Sequence, residues 1–437
     1  MRKSYLFTAI CFIAAAVMAV SGTDVYAGTT GKIQGVVRDA QTGESLPGAN
    51  VVLEGTKRGA TTDVNGFYII LLVDPGSYAM SASLIGYDAQ RKTDVRVQSD
   101  FTSEVNFLVR EAALQLGEMV VVAERPPVEP DRTTSKYVMG AADIENVPMV
   151  RSASEFIELQ AGVSVDGDVS IRAGDSEDTA YYVDGVRLQS TDGSTRVYRD
   201  VNKSSIQEMT VITGGMEAEY GNAQAGVVSF VTREGGQDYS GLVDYQFQPA
   251  GQKHWGANVY DSAIHRGQNQ WDSPEWVGET VTLPDGSSVP AHQRLDYTSK
   301  TGHFVEGNLS GPLTEGLTFF ASSKYTRTAA IFPSANLTTP YNTNTNLKLS
   351  YTASPTMKIR VGGFYDKREG NNRGPEEGGL LDIRNDGKNL FMVDHAPAGG
   401  REDTDWLGWA SITHSLSPKT FYELRLSMST SKRDTLG

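Results

Sequence analysis

Few residue sets in this 437-residue chain can do covalent chemistry. All six histidines lie at or after His254, and the one cysteine is Cys11. The N-terminal half therefore offers no imidazole base and no histidine-ligated metal. A chain processed after Cys11 also has no disulfide, thiolate ligand or thiol nucleophile. Asp63 and Asn65 have the spacing of a calcium loop, but no further carboxylates follow at loop spacing, so a bare turn is the better reading. No metal or cofactor is expected. What remains is suited to recognition. Trp255, Trp271 and Trp276 share one long polar stretch with His254, His265 and His292. The indoles can stack on a sugar or aryl ligand, or simply pack a loop at an interface. Glu118-Met119-Val120-Val121-Val122-Ala123 is β-prone and is followed by Arg125-Pro126-Pro127 and Glu129-Pro130. Prolines on one side keep it out of a sheet interior. It is read either as a strand that adds to a partner's sheet edge or as the last strand of the domain before it.

Composition limits the elements that position these residues. The formal charge is −14, which disfavours nucleic acid as a partner. Mean hydropathy is −0.33, too low for a bundle of membrane helices. The 45 Gly, with 19 Tyr and 15 Phe, suit turn-rich β structure. Arg2 and Lys3 precede an apolar run over residues 5–20, and Val25 and Ala27 stand at −3 and −1 of a cleavage site. Residues 1–27 read as a secretory signal peptide.

Residues 28–112 alternate short strand-like runs with turns, the pattern of an all-β sandwich. Gly35-Val36-Val37-Arg38-Asp39, Leu46-Pro47-Gly48-Ala49-Asn50-Val51, Thr62-Asp63-Val64-Asn65-Gly66-Phe67-Tyr68, Pro75-Gly76-Ser77-Tyr78 and Ile85-Gly86-Tyr87 stand in order. This segment resembles the carboxypeptidase regulatory-like domain, which implies a transthyretin-like β-sandwich without peptidase activity.

Residues 126–236 open on Asp143-Ile144-Glu145-Asn146-Val147-Pro148. A short helix is expected near 153–160, burying Phe156, Leu159 and Val163. Ile171-Arg172-Ala173-Gly174, Tyr182-Val183-Asp184-Gly185-Val186 and Ile206-Gln207-Glu208-Met209 follow, then the run from Glu219-Tyr220-Gly221-Asn222 to Val228. The Asp-Gly pair is a hairpin signal. Together these resemble the α+β plug domain of TonB-dependent outer-membrane receptors. Two departures are Gly215-Met216 for a frequent Gly-Pro, and Arg172-Ala173-Gly174 for the usual Arg-Gly-Gly. The resemblance implies that Arg172 and Glu208 face a barrel wall; ordinary solvated strand charges are the alternative. It also makes residues 113–125 a connector, with 118–123 as the contact for a periplasmic TonB-type energy-coupling protein.

From 237 to 437 the pattern has period two: Val243, Tyr245 and Phe247, then Leu347, Leu349 and Tyr351, then Tyr422, Leu424, Leu426 and Met428, each alternate with polar residues. Seven strands are expected, at 238–248, 302–311, 317–328, 343–353, 357–367, 405–415 and 420–431. Short and long links alternate, as in transmembrane barrels. Seven fall short of the about 22 strands of the largest outer-membrane transporters, so the chain is read as the start of an incomplete barrel. The expected fold is mainly β: sandwich, plug, then the first ~7 strands of an outer-membrane β-barrel. The resemblance implies a non-enzymatic transporter of a glycan, peptide or siderophore-like nutrient. Its partners would be the coupling protein, outer-membrane lipid, an external substrate and a surface lipoprotein. A secreted β-rich adhesion or scaffold protein is the alternative.

Overall fold

The computed structural model describes residues 29–56, 58–99, 101–111, 119–122, 135–147, 153–166, 168–172, 174, 178–188, 201–215, 223–258, 278, 280–282, 286–290, 292–294, 296–329, 331, 341–354, 356–371, 392–394, 400–417 and 420–435.

The first part has nine strands: β1 (Gly31–Asp39), β2 (Asn50–Leu53), β3 (Gly59–Thr61), β4 (Phe67–Val73), β5 (Gly76–Ser83), β6 (Gln90–Val97), β7 (Thr102–Glu104), β8 (Phe107–Val109) and β9 (Met119–Val122). One sheet runs β4-β1-β7, with β8 also on β1; the other runs β3-β2-β5-β6-β9. Alternate residues of β1 point inward, so Ile33 and Val37 meet Val51, Leu53, Met80 and Phe107 in a core closed within this part. Buried Tyr68 keeps its hydroxyl satisfied by donating to the Val105 carbonyl at 2.6 Å.

The second part holds β10 (Ser135–Gly140), α1 (Ala141–Asn146), α2 (Ala153–Glu158), the hairpin β11 (Val163–Asp166) and β12 (Asp168–Ile171), β13 (Thr179–Val183), β14 (Val186–Leu188), a 3-10 turn (Lys203–Ser205), β15 (Ile206–Gly214) and β16 (Gly226–Thr232). Its sheet has the order β10-β15-β16-β13-β14. The helix expected to bury Leu159 stops at Glu158. Leu159 is therefore 60% exposed, and Ile157 beside Phe156 fills the core instead.

The third part is an antiparallel sheet of seven long strands, β17 (Ser240–Gln248), β21 (Gly302–Thr314), β22 (Leu317–Arg327), β23 (Tyr341–Ser354), β24 (Met357–Asn371), β26 (Gly400–Ser417) and β27 (Thr420–Thr435), in that order. The link after β17 carries short β18 (Thr280–Thr282), β19 (Ser288–Pro290) and β20 (His292–Arg294), the last paired with β25 (Met392–Asp394) from the link before β26. Links of two residues at 315–316, 355–356 and 418–419 define one end of the sheet, and the long links define the other. Each expected strand is present, most extended by a few residues. The outer face exposes Leu309, Leu347, Tyr351, Val361, Tyr365, Trp406, Leu424 and Met428. The inner face buries Glu306, Ser322, Lys324, Asn344, Asn346, Lys348, Arg360, Asp366 and Asp405. That is the apolar-out, polar-in signature of a membrane barrel wall.

Candidate functional site

The inner wall and the plug-like sheet meet through buried polar pairs. The β13–β14 turn puts Asp184 and Gly185 in the left-handed region, φ 49° and 74°, as a two-residue hairpin turn requires. That aims the Asp184 carboxylate at the wall. Lys348 of β23 donates to it at 2.7 Å and to the Thr232 carbonyl at 2.9 Å, and its ammonium lies 5.5 Å from the Trp409 ring. Thr232 donates its backbone N–H and its hydroxyl to Asp184 at 2.9 and 2.6 Å. The two charged side chains are 2% and 3% exposed. The 3-10 turn before β15 supplies more: Ser204 N–H donates to Glu306 at 2.8 Å, and Asn202 donates to Ser322 at 3.1 Å. Inward-facing Phe364, Leu407 and Trp409 break the polar pattern and join the plug core with Phe156, Tyr181 and Phe230. Nothing here does covalent chemistry. It is a seat held by a small apolar grip and by polar contacts that water can replace.

The residues singled out from sequence fall elsewhere. Glu208 is buried, but it accepts from Ser99 of the sandwich, through N–H at 3.1 Å and hydroxyl at 2.7 Å, and not from the wall. Burial pushes its carboxyl up from the ordinary value against the pull of those two bonds. Arg172 stands one residue beyond β12 at φ 52°; its guanidinium donates to Ser135 at 3.2 Å inside the plug and packs over Gly214. Residues that do bridge plug and wall include Asp184, Asn202, Ser204, Thr232 and Glu234. The Asp-Gly turn signal concealed the first of them. Trp255 is fully exposed, while Trp271 and Trp276 lie outside the described residues, so the indoles are not shown gathered into a site. Beside Trp255, His254 stacks on buried Tyr297 at 14° and hydrogen-bonds its hydroxyl at 2.9 Å.

Glu118 and Ala123 also lie outside the described residues, but Met119–Val122 is β9, paired in parallel with β6 in the register Gln90↔Met119 to Thr93↔Val122. It is the edge strand of the second sandwich sheet, with one side open among the described strands. The segment read as a connector thus has its first neighbour inside its own chain. A run of three valines favours such pairing wherever an edge is near.

A mainly β chain that seats an α+β plug on the polar face of an apolar-backed sheet defines a class, the plugged outer-membrane receptors. Two family models match in tandem: the CarboxypepD_reg-like domain over residues 33–121 and the TonB-dependent Receptor Plug Domain over residues 130–228. The chain thus carries a CarboxypepD_reg-like domain ahead of a TonB-dependent receptor plug domain, and its relatives are TonB-dependent receptors. Among its relatives, the TonB-dependent transporter Oar of Myxococcus xanthus is 27% identical over 272 residues, 58% of this chain and 25% of that protein. The TonB-dependent receptor SusC of Bacteroides thetaiotaomicron is 27% identical over 230 residues, 49% of this chain and 22% of that protein. The chain thus spans about a quarter of the length of these relatives. They are transporters and receptors, not enzymes. Among solved structures, the siderophore receptor PirA from Pseudomonas aeruginosa aligns with TM-score 0.45 and 17% identity, covering 72% of this chain and 42% of that one. The alcaligin outer-membrane receptor FauA from Bordetella pertussis aligns with TM-score 0.44 and 11% identity, covering 69% and 40%.

Proposed function

We propose that the protein takes part in active uptake of a nutrient across the bacterial outer membrane, energised by a periplasmic TonB-type protein. The observation that carries this reading is the plug seated by Asp184–Lys348 on the polar side of a wall whose other side is apolar. In this reading the short-turn end of the wall and the sandwich are periplasmic, and the long links face outward. Substrate binds on the outer side, the plug shifts, and the solute passes with no bond made or broken. Met119–Val122 is the strand offered to the coupling protein, because an extended segment with one free edge is what strand addition requires. A glycan, peptide or siderophore-like ligand fits the class, with a surface lipoprotein as a further partner.

The test is cell fractionation together with growth of a deletion strain on a panel of glycans, peptides and ferric siderophores. The protein should partition with outer membranes, and the deletion should lose growth on one nutrient class. Complementation by Val121→Pro, which removes an N–H donor from the strand, should fail while the protein still reaches the membrane. Recovery of the protein in the culture fluid, or full uptake by Val121→Pro, would overturn the reading.

A further inference from the structure

Asp74 stands in the turn between β4 and β5, in Val73-Asp74-Pro75-Gly76, where a turn carboxylate ordinarily faces water. Here it reaches the start of β24, just beyond the 355–356 turn of the wall. Lys358 Nζ lies 2.6 Å from Asp74 and 2.5 Å from Glu234. The Arg360 guanidinium, only 4% exposed, bridges the same two carboxylates. Sandwich, plug exit and wall thus contribute to one cluster, in which Arg58 of the sandwich and Glu423 of the wall also lie within electrostatic reach of these four groups. Were Asp74 removed, Arg58, Lys358 and Arg360 would outnumber the carboxylates of Glu234 and Glu423 beside a guanidinium that is almost wholly buried.

Further contacts lie on the same side of the sandwich. Ser99 donates twice to Glu208, and Gln207 donates to the Pro75 carbonyl at 3.0 Å. Arg96 pairs with Asp143 at 3.3 Å, and the Lys136 ammonium sits 3.9 Å above the Phe101 ring. None of these is needed to fold the sandwich, whose core is complete between Ile33 and Val109. Directional contacts of this kind, with charge on both sides, specify one seat.

From this geometry we infer that the sandwich is a clamp that closes the short-turn end of the plug and wall, and that Asp74 is its latch. While seated it covers the start of β15 and touches Lys136 of β10, the plug's edge strand. The plug therefore leaves the wall only after the sandwich does. Strand β9 lies on the sandwich sheet, so a coupling partner bound there is attached to the clamp itself; this last point alone rests on the coupling role proposed above.

The test uses the full chain in detergent and needs no coupling protein, so its failure is distinct from failure of the uptake reading. A zero-length carbodiimide should join Asp74 to Lys358, detected by peptide mass spectrometry. In Asp74→Ala, amide exchange should rise by about tenfold over residues 135–140 and 206–210, with residues 302–327 unchanged as a control of fold. The charge-exchanged D74K/K358D should return exchange toward that of the unaltered chain. Absence of the Asp74–Lys358 link overturns the clamp. So does unchanged exchange at 135–140 and 206–210, or a rise spread through 302–327 that D74K/K358D does not reverse.

Discussion

The Asp184–Lys348 pair gives the sharpest test of how the plug is seated. Consider Lys348→Met, which keeps the aliphatic stem and removes the charge. Asp184 would then be a buried carboxylate still served by two donors from Thr232, at 2.9 and 2.6 Å. Breaking a buried pair costs ~3–5 kcal/mol, and the two surviving donors place this variant at about 3. Asp184→Asn is the complementary change. Asparagine tolerates the left-handed φ of 49° at this position, so the backbone adds no penalty of its own. The ammonium keeps the Thr232 carbonyl, the Trp409 face and the attraction of Glu234, and the asparagine oxygen can still accept from it, so the loss should be about 3 kcal/mol. With both charges gone no buried ion is left uncompensated, and D184N/K348M should lose only about 1–2 kcal/mol. Urea unfolding of the full chain in detergent, followed by circular dichroism, reads these values. A double variant that loses the sum of the singles would mean that the pair is not coupled across the seat. Single variants that lose less than about 1 kcal/mol would mean that water already fills it.

Other expectations test separate links. Glu208→Gln keeps an acceptor for Ser99 and removes a charge that burial disfavours, so the denaturation midpoint should hold or rise slightly, whereas Glu208→Ala should cost about 1–3 kcal/mol by stranding the Ser99 donors. For Asp74 and Glu234 burial works to raise the carboxyls, but Lys358 and Arg360 outweigh it and hold both below their ordinary values of 3.8 and 4.5. Their contribution is therefore complete at neutral pH and is lost as pH falls below about 4; Asp74→Ala should flatten that acid loss by roughly 1 kcal/mol, discounted because Asp74 is 31% exposed. Gly235→Ala should cost about 2 kcal/mol in the same unfolding assay, since a methyl there would stand 2.3 Å from the Phe319 carbonyl oxygen and 2.6 Å from its nitrogen.

Strands with one wet and one dry side were legible in the sequence. The seven wall strands and most of the sandwich were found because their two faces differ, so alternation survives as a period of two. Strand β15 is buried almost throughout, on both faces, and gives no such period. Glu208 in its midst was therefore placed against the wall by resemblance alone, and nothing local named Ser99, distant in the chain, as its partner. Asp74 and Asp184 were hidden differently. Each sits in a strong turn signal, Asp-Pro-Gly or Asp-Gly, which explains the aspartate locally and leaves no residue of information about a distant cation. Lys348 and Arg360 lie among other polar residues of the inner face, and only three-dimensional assembly selects which of them meets a carboxylate. Met119–Val122 was legible as a strand, and of its two readings the last strand of the preceding domain is the pairing that β6 makes with it, although composition does not name β6 as the partner.

Twelve residues, 123–134, separate the end of β9 from the start of β10. Drawn straight they reach about 40 Å, and Pro126, Pro127 and Pro130 stiffen the tether without shortening it much. In the coupling role proposed above, a machine hauling on Met119–Val122 would first peel a four-residue ladder from β6, before any pull reached Ser135 at the plug's edge. On that proposal, the stroke asked of the motor is set by the spacing of two short strands. Shortening that spacing would pass more of a given stroke to the plug, and lengthening it would let the motor run idle.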